Sequence, residues 1–159
     1  MYKTSAYADK HIGFYILDLV LFALSYAIEC DADIINMSWG SEQKDLYLYK
    51  YIKLAADSDI VCVAAAGNNH TPAPLYPAAY DDVIGVGALG RNTWKQADYS
   101  NYDANVDVMA PGTVFTTSIN GYDISEGTSM AAPIVAGTIA LYMSDHPRQE
   151  VDQIIERLR

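Results

Sequence analysis

The run Glu126-Gly127-Thr128-Ser129-Met130-Ala131-Ala132-Pro133 decides the reading of this 159-residue chain. It sets a serine between a glycine and a series of small, helix-forming residues, followed by Val135, Gly137, Ile139 and Leu141. The glycine lets the backbone turn sharply and come close to a ligand. The helix start offers N–H groups with no carbonyl one turn behind them, which favours a developing negative charge there. Pro133 is read as part of the first turn, where a missing N–H costs little. The stretch therefore reads as a nucleophile at the N-terminus of a buried helix. It is not the Gly-x-Ser-x-Gly elbow of a strand-to-helix nucleophile turn, because position 131 is alanine.

Outward from this helix, residues 33–38, 60–66 and 83–88 are nearly continuous apolar runs. That pattern belongs to parallel strands covered on both faces. Short strands are expected at 106–110 and 114–118, with Gly121-Tyr122 turning a hairpin into 123–125. Helices are expected at 13–30, 44–57, 129–143 and, after Pro147, 150–158; the 44–57 helix sets Leu48, Tyr51, Ile52 and Ala55 on one face. Residues 90–103 are polar and read as loop. This alternation predicts an α/β fold, a mainly parallel sheet flanked by helices. No repeat, low-complexity segment or linker divides the chain. Ligands of such sheets bind beyond the carboxyl ends of the strands. Ser38-Trp39-Gly40 and Gly67-Asn68 lie at two such ends, and Ser129 must approach the same edge.

Composition narrows the function. The chain is 51% hydrophobic and 19% charged, which excludes a disordered segment. Twenty acidic against ten basic residues give a net charge of −10, which disfavours nucleic acid and anionic membranes as partners. The 13 tyrosines are spread along the chain and read as packing and rim residues rather than a cofactor box. Cys30 and Cys62 have neither metal-ligand spacing nor a disulfide framework and read as reduced, buried thiols. No cofactor or metal is expected on these grounds. Met1-Tyr2-Lys3-Thr4-Ser5 does not open a signal peptide. The apolar run 12–28 is interrupted by Asp18, Ser25 and Tyr26 and reads as a helix on the sheet, not a membrane span. The compartment is left open.

Gly127-Thr128-Ser129-Met130-Ala131-Ala132-Pro133 resembles, nearly letter for letter, the nucleophile motif of the subtilisin-like serine peptidases (subtilases, peptidase family S8). Further segments resemble the family in its own order, from about residue 18 to the C-terminus. They are Asp33 to Gly40, Val61 to Asn68, Tyr76-Pro77-Ala78 with Val83 to Ala88, and Val106 to Gly112. The resemblance implies a partial subtilisin-like fold and a polypeptide substrate. It implies Ser129 as nucleophile and Asn68 as the side-chain donor of the oxyanion hole. It implies that Ser38, Trp39 and Gly40 pair with an extended peptide by strand addition. Ser38-Trp39-Gly40 and Ala65-Ala66-Gly67 would wall a small or medium apolar S1 pocket, with Leu75 near its base. Tyr76-Pro77 resembles the family's cis peptide bond, and the carbonyls of Ala78, Tyr80 and Val83 match a weak cation site of some relatives. From the residues alone, Asn68 also fits a loop cap and Trp39 ordinary core packing.

The family's triad runs Asp, His, Ser, one of several chain orders that build this geometry. Its aspartate lies in Asp-(Thr/Ser)-Gly and its histidine in His-Gly-Thr-His, and neither motif occurs here. His11, His70 and His146 each read as surface or loop histidines. The chain, 1–159, is therefore expected to be the C-terminal portion of a subtilase catalytic domain. Its Asp and His would come from an N-terminal segment or a second chain. Two functions follow: a serine endopeptidase that forms an acyl-enzyme on Ser129, incomplete in this chain, or an inactive fragment or pseudopeptidase that at most binds peptides. The absent portion would also leave the 34–37 strand unpaired on one side.

Overall fold

A computed structural model describes residues 9–146 and Gln153, with the backbone alone for residues 9–16 and 104. The expected helix at 150–158, apart from Gln153, and the side chain of His11 lie outside these residues. Four parallel strands form the main sheet: β1 (Ile34–Met37), β2 (Val61–Ala65), β3 (Ile84–Leu89) and β4 (Val108–Pro111), side by side in chain order. Around them lie α1 (Asp9–Glu29), α2 (Leu46–Ala56) and α3 (Thr128–Asp145). A separate antiparallel hairpin, β5 (Thr113–Ser118) and β6 (Gly121–Glu126), leads into α3. The architecture is thus the parallel sheet flanked by helices that the sequence predicts.

The apolar runs are continuous because alternate residues of each strand enter different cores. Val61, Val63 and Ala65 of β2 share one core with Ile84, Val86 and Ala88 of β3 and with Ala131, Ala132, Val135, Ala136 and Ile139 of α3. Cys62 and Ala64 belong to the other, with Leu24 of α1, Leu48, Ile52 and Ala55 of α2, and Met37, Tyr80 and Val83. The alanines of α3 let that helix lie close over all four strands. Burial also pushes the Cys62 thiol up to about 12 from 9.0, and Asp82 adds to the effect. Cys30, expected to be buried, is exposed just after α1, and both cysteines are free.

Local chemistry accounts for the remaining differences. α2 begins at Leu46 because Asp45 caps it, its carboxylate accepting from Tyr47 N–H and Leu48 N–H at 2.8 Å each. The hairpin turns at Ile119-Asn120, not at Gly121-Tyr122; Ser118 pairs with Gly121, whose φ of 125° suits glycine. Pro133 is the sixth residue of α3, past its first turn. Its missing N–H would have bonded to the Ser129 carbonyl in a regular helix.

β1 is an edge strand, and among the described residues no strand lies on its outer side. α1 buries Leu24 and partly buries Leu17, Val20, Leu21 and Ile28, while Leu19, Phe22 and Tyr26 on its other face are exposed. No helix among the described residues is long and apolar enough to cross a membrane.

Candidate active site

Three pieces meet at the carboxyl edge of the sheet. Ser38 follows β1, Gly67 and Asn68 follow β2, and Ser129 opens α3. The Ser129 hydroxyl donates to the Ser38 carbonyl at 3.1 Å, and the Ser38 hydroxyl donates to the Ser129 carbonyl at 2.9 Å. The second bond uses the carbonyl that Pro133 leaves without a helical donor. Asn36 Nδ2 donates in turn to Ser38 Oγ at 2.9 Å. The proline thus links the start of α3 to the end of β1 across the edge of the sheet.

Asn68 is oriented by the residue before the serine. Its Oδ1 accepts from Thr128 N–H at 2.9 Å and from Thr128 Oγ1–H at 3.0 Å. Thr128 Oγ1 accepts from Gly67 N–H at 3.1 Å. With Oδ1 occupied twice, the Asn68 amide turns its Nδ2 donor away from Thr128. A methyl placed on Gly127 would stand 3.4 Å from Asn68 Nδ2 and 3.7 Å from Ser129 N. The two nitrogens therefore border one space, which Gly127 (φ 143°) leaves open. Ser129 N–H, in the first turn, has no helical carbonyl behind it.

The expected pocket residues also come together. Ala65 and Ala66 are buried, and Gly67 turns the chain at φ 108°. Leu75 fills the gap between the two walls: its Cδ2 is 2.5 Å from where a Cβ on Gly40 would stand and 3.0 Å from one on Gly67. Trp39 is 37% exposed, so it lies at the surface rather than in the core. The 38–45 segment is joined to the loop after Leu75 by paired bonds between Ser41 and Tyr76, both 2.8 Å. Lys44 Nζ adds to this junction, 5.6 to 5.9 Å from the ring centres of Tyr49, Tyr76 and Tyr80. The Tyr76–Pro77 bond is cis. The Tyr80 carbonyl accepts from Val83 N–H at 3.1 Å.

Four buried polar residues among those described escaped the sequence reading; one of them, Ser100, accepts from Ala88 N–H at 3.0 Å through its hydroxyl. Thr128 orients Asn68 as described. Asn101 Nδ2 donates to the Ala66 carbonyl at 2.9 Å, while its Oδ1 accepts from Asn69 N–H at 3.0 Å and Thr71 N–H at 3.3 Å. Asn105 does the same for the 72–75 turn. Both asparagines sit in the polar 99–105 stretch. Their signal is weak in sequence because a buried asparagine looks like any loop asparagine until its partners are known.

Among the described residues no histidine takes the Ser129 hydroxyl. His70 has a φ of 49° and packs against Tyr102 at 5.3 Å. His146 stacks on Tyr142 at 4.2 Å, beyond the far end of α3. No three of His, Cys, Asp and Glu among the described residues cluster to hold a metal. A groove of about 600 Å³ lies elsewhere, between the 90–94 loop and the hairpin, with Trp94 and Phe115 in its lining; neither Ser129 nor Asn68 borders it.

A serine at a helix start, an asparagine amide beside its N–H and a strand end alongside thus meet at one edge of the sheet. Residues 17–158 match the model of the subtilase family, and the chain belongs to that family. It is 39% identical over 145 residues to subtilisin DY of Bacillus licheniformis, covering 87% of this chain and 53% of that protein. It is 40% identical over 138 residues to the thermophilic serine proteinase of Bacillus sp. (strain AK1), covering 85% of this chain and 34% of that one. Among solved structures it resembles the S41 psychrophilic protease, with 27% identity and a TM-score of 0.79, covering 87% of this chain and 53% of that one. Sphericase is similar to the same degree, with 28% identity and a TM-score of 0.79. The chain spans about half of the length of subtilisin DY and a third of the thermophilic proteinase.

Proposed function

We propose that this chain supplies the nucleophile, the oxyanion donors and the peptide-pairing strand of a serine endopeptidase. A polypeptide lies extended along Ser38-Trp39-Gly40, and its P1 side chain enters between Gly40 and Ala65-Ala66-Gly67. Ser129 Oγ attacks the scissile carbonyl carbon and its proton passes to a general base. Asn68 Nδ2 and Ser129 N–H donate to the resulting oxyanion. The C–N bond then breaks, the amine leaves with the proton from the base, and water releases the acyl group from Ser129. The base and its orienting carboxylate come from outside the described residues, on an N-terminal segment or a second chain. Leu75 between the walls favours a small or medium apolar P1 residue. A weak cation held by the Ala78, Tyr80 and Val83 carbonyls belongs to the same reading; a rise in Tm with added calcium or potassium tests it.

The observation that carries the proposal is the double hydrogen bond from Thr128 to Asn68 Oδ1, which leaves Nδ2 beside Ser129 N–H. A second reading, peptide binding without catalysis, draws on the present partner of the Ser129 hydroxyl, a backbone carbonyl rather than a base. One assay separates the two. The chain is tested on a chromogenic peptide and with a fluorophosphonate, alone and with a segment carrying the family's Asp and His motifs. The endopeptidase reading expects near-silence alone and turnover with the segment, abolished by Ser129→Ala. Hydrolysis by the chain alone at a normal rate would refute the need for an outside base. No turnover with the segment bound would favour the non-catalytic reading.

A further inference from the structure

We propose that Asn105 is a positioning residue that sets the depth of the S1 pocket; this rests on the peptidase reading above. The stretch Thr71-Pro72-Ala73-Pro74-Leu75 carries two prolines, so two of its residues have no N–H to give. Its carbonyls need donors from elsewhere. Asn105, only 1% exposed, provides them: Nδ2 donates to the Ala73 carbonyl at 2.8 Å and to the Pro72 carbonyl at 3.3 Å. Its Oδ1 accepts from Leu75 N–H at 3.3 Å. One side chain thus holds three backbone groups of one turn, which requires two donors and an acceptor on the same short amide.

Asn105 is itself fixed. It closes the 3-10 turn Asp103–Asn105, and its carbonyl oxygen occupies the space that a Cβ on Gly85 would need. β3 therefore packs directly on its backbone. On the other side of Leu75, Tyr76 is bonded both ways to Ser41 at 2.8 Å. Leu75 is held from both flanks, and its side chain is kept between Gly40 and Gly67. If the turn relaxes, Leu75 withdraws and the pocket deepens. Asn105 touches no substrate and acts through Leu75.

The test uses the whole chain and two succinylated tetrapeptides, Ala-Ala-Pro-Ala and Ala-Ala-Pro-Phe, with binding measured by calorimetry. The parent chain should prefer the peptide ending in alanine. Asn105→Ala should move that preference toward phenylalanine by about tenfold, the scale on which small changes in an apolar pocket discriminate. Leu75→Ala should move it the same way, and the double variant should add little, because the two act on one element. Asn105→Asp, which keeps the acceptor for Leu75 N–H and loses both donors, serves if the alanine variant does not fold. Hydrogen exchange on the parent chain needs no variant, and Leu75 N–H should be protected. Free exchange there overturns the proposal, as does an unchanged preference, or equal weakening for both peptides, in a folded variant. Binding of neither peptide by the parent chain defeats the peptidase reading itself, and this proposal with it.

Discussion

At the residue scale, the proposed oxyanion hole depends on which atom of Asn68 faces the space beside Ser129 N–H. Thr128 decides this by occupying Oδ1 with two donors. In the active assembly, Asn68→Ala is expected to lower kcat by about 10² to 10³ with little change in KM. That is about 3 to 4 kcal/mol of transition-state stabilisation, with subtilisin as the type case. An unchanged kcat would remove Asn68 from the oxyanion hole. A second prediction concerns Cys62, whose thiol is pushed up to about 12 by burial. Folded chain keeps the thiol neutral while unfolded chain ionises it near its ordinary 9.0. The stability gained is full below that value and is lost as pH rises toward the folded one. The loss approaches about 1.4 kcal/mol per pH unit. Urea unfolding at about pH 8 and about pH 10.5 should show the parent losing about 2 kcal/mol more than Cys62→Ala. Parallel profiles would contradict it.

At the element scale, the strand ends and the start of α3 are held by a few backbone conformations. Gly67 has a φ of 108°, and a Cβ there would overlap the Asn101 amide and stand 3.0 Å from Leu75. Gly67→Ala is therefore expected to cost more than about 1 kcal/mol in denaturant unfolding, and to disturb peptide binding as well. A variant of parental stability would show that the 66–71 segment can shift without loss. Pro133 illustrates how an element can differ from its sequence reading. It reads as a first-turn proline, yet it stands at the sixth helical position, and the carbonyl it frees is taken by Ser38 Oγ. Nothing in the local sequence announces that bond, because Ser38 is 91 residues away.

At the scale of the whole molecule, the outer side of β1 has no strand paired to it among the described residues. β1 is a sheet edge, and α1 beside it exposes Leu19, Phe22 and Tyr26 at 67%, 70% and 63%. Unpaired strand edges and apolar patches of this kind favour association. The chain is expected to self-associate with rising concentration in size-exclusion chromatography. Addition of an N-terminal subtilase segment should restore a discrete species and protect the 34–37 amides from exchange. A concentration-independent monomer with those amides already protected would show that the chain covers its own edge.

The sequence by itself determined the class of fold, the succession of strands along the chain and the position of the serine. These follow from local patterns: β2 reads as buried because Val61 to Ala65 are apolar without interruption, and Ser129 reads as a helix-start serine from its immediate neighbours. It also carried the resemblance that marked Asn68 and Ser38. Tertiary structure alone decided the rest. Which way Asn68 points depends on Thr128, 60 residues on, and what holds Leu75 depends on Asn105, 30 residues on. Whether Cys30 is buried depended on where α1 ends and what packs there. A hydrogen bond between distant segments is fixed by how the elements come together, and no local pattern encodes its geometry.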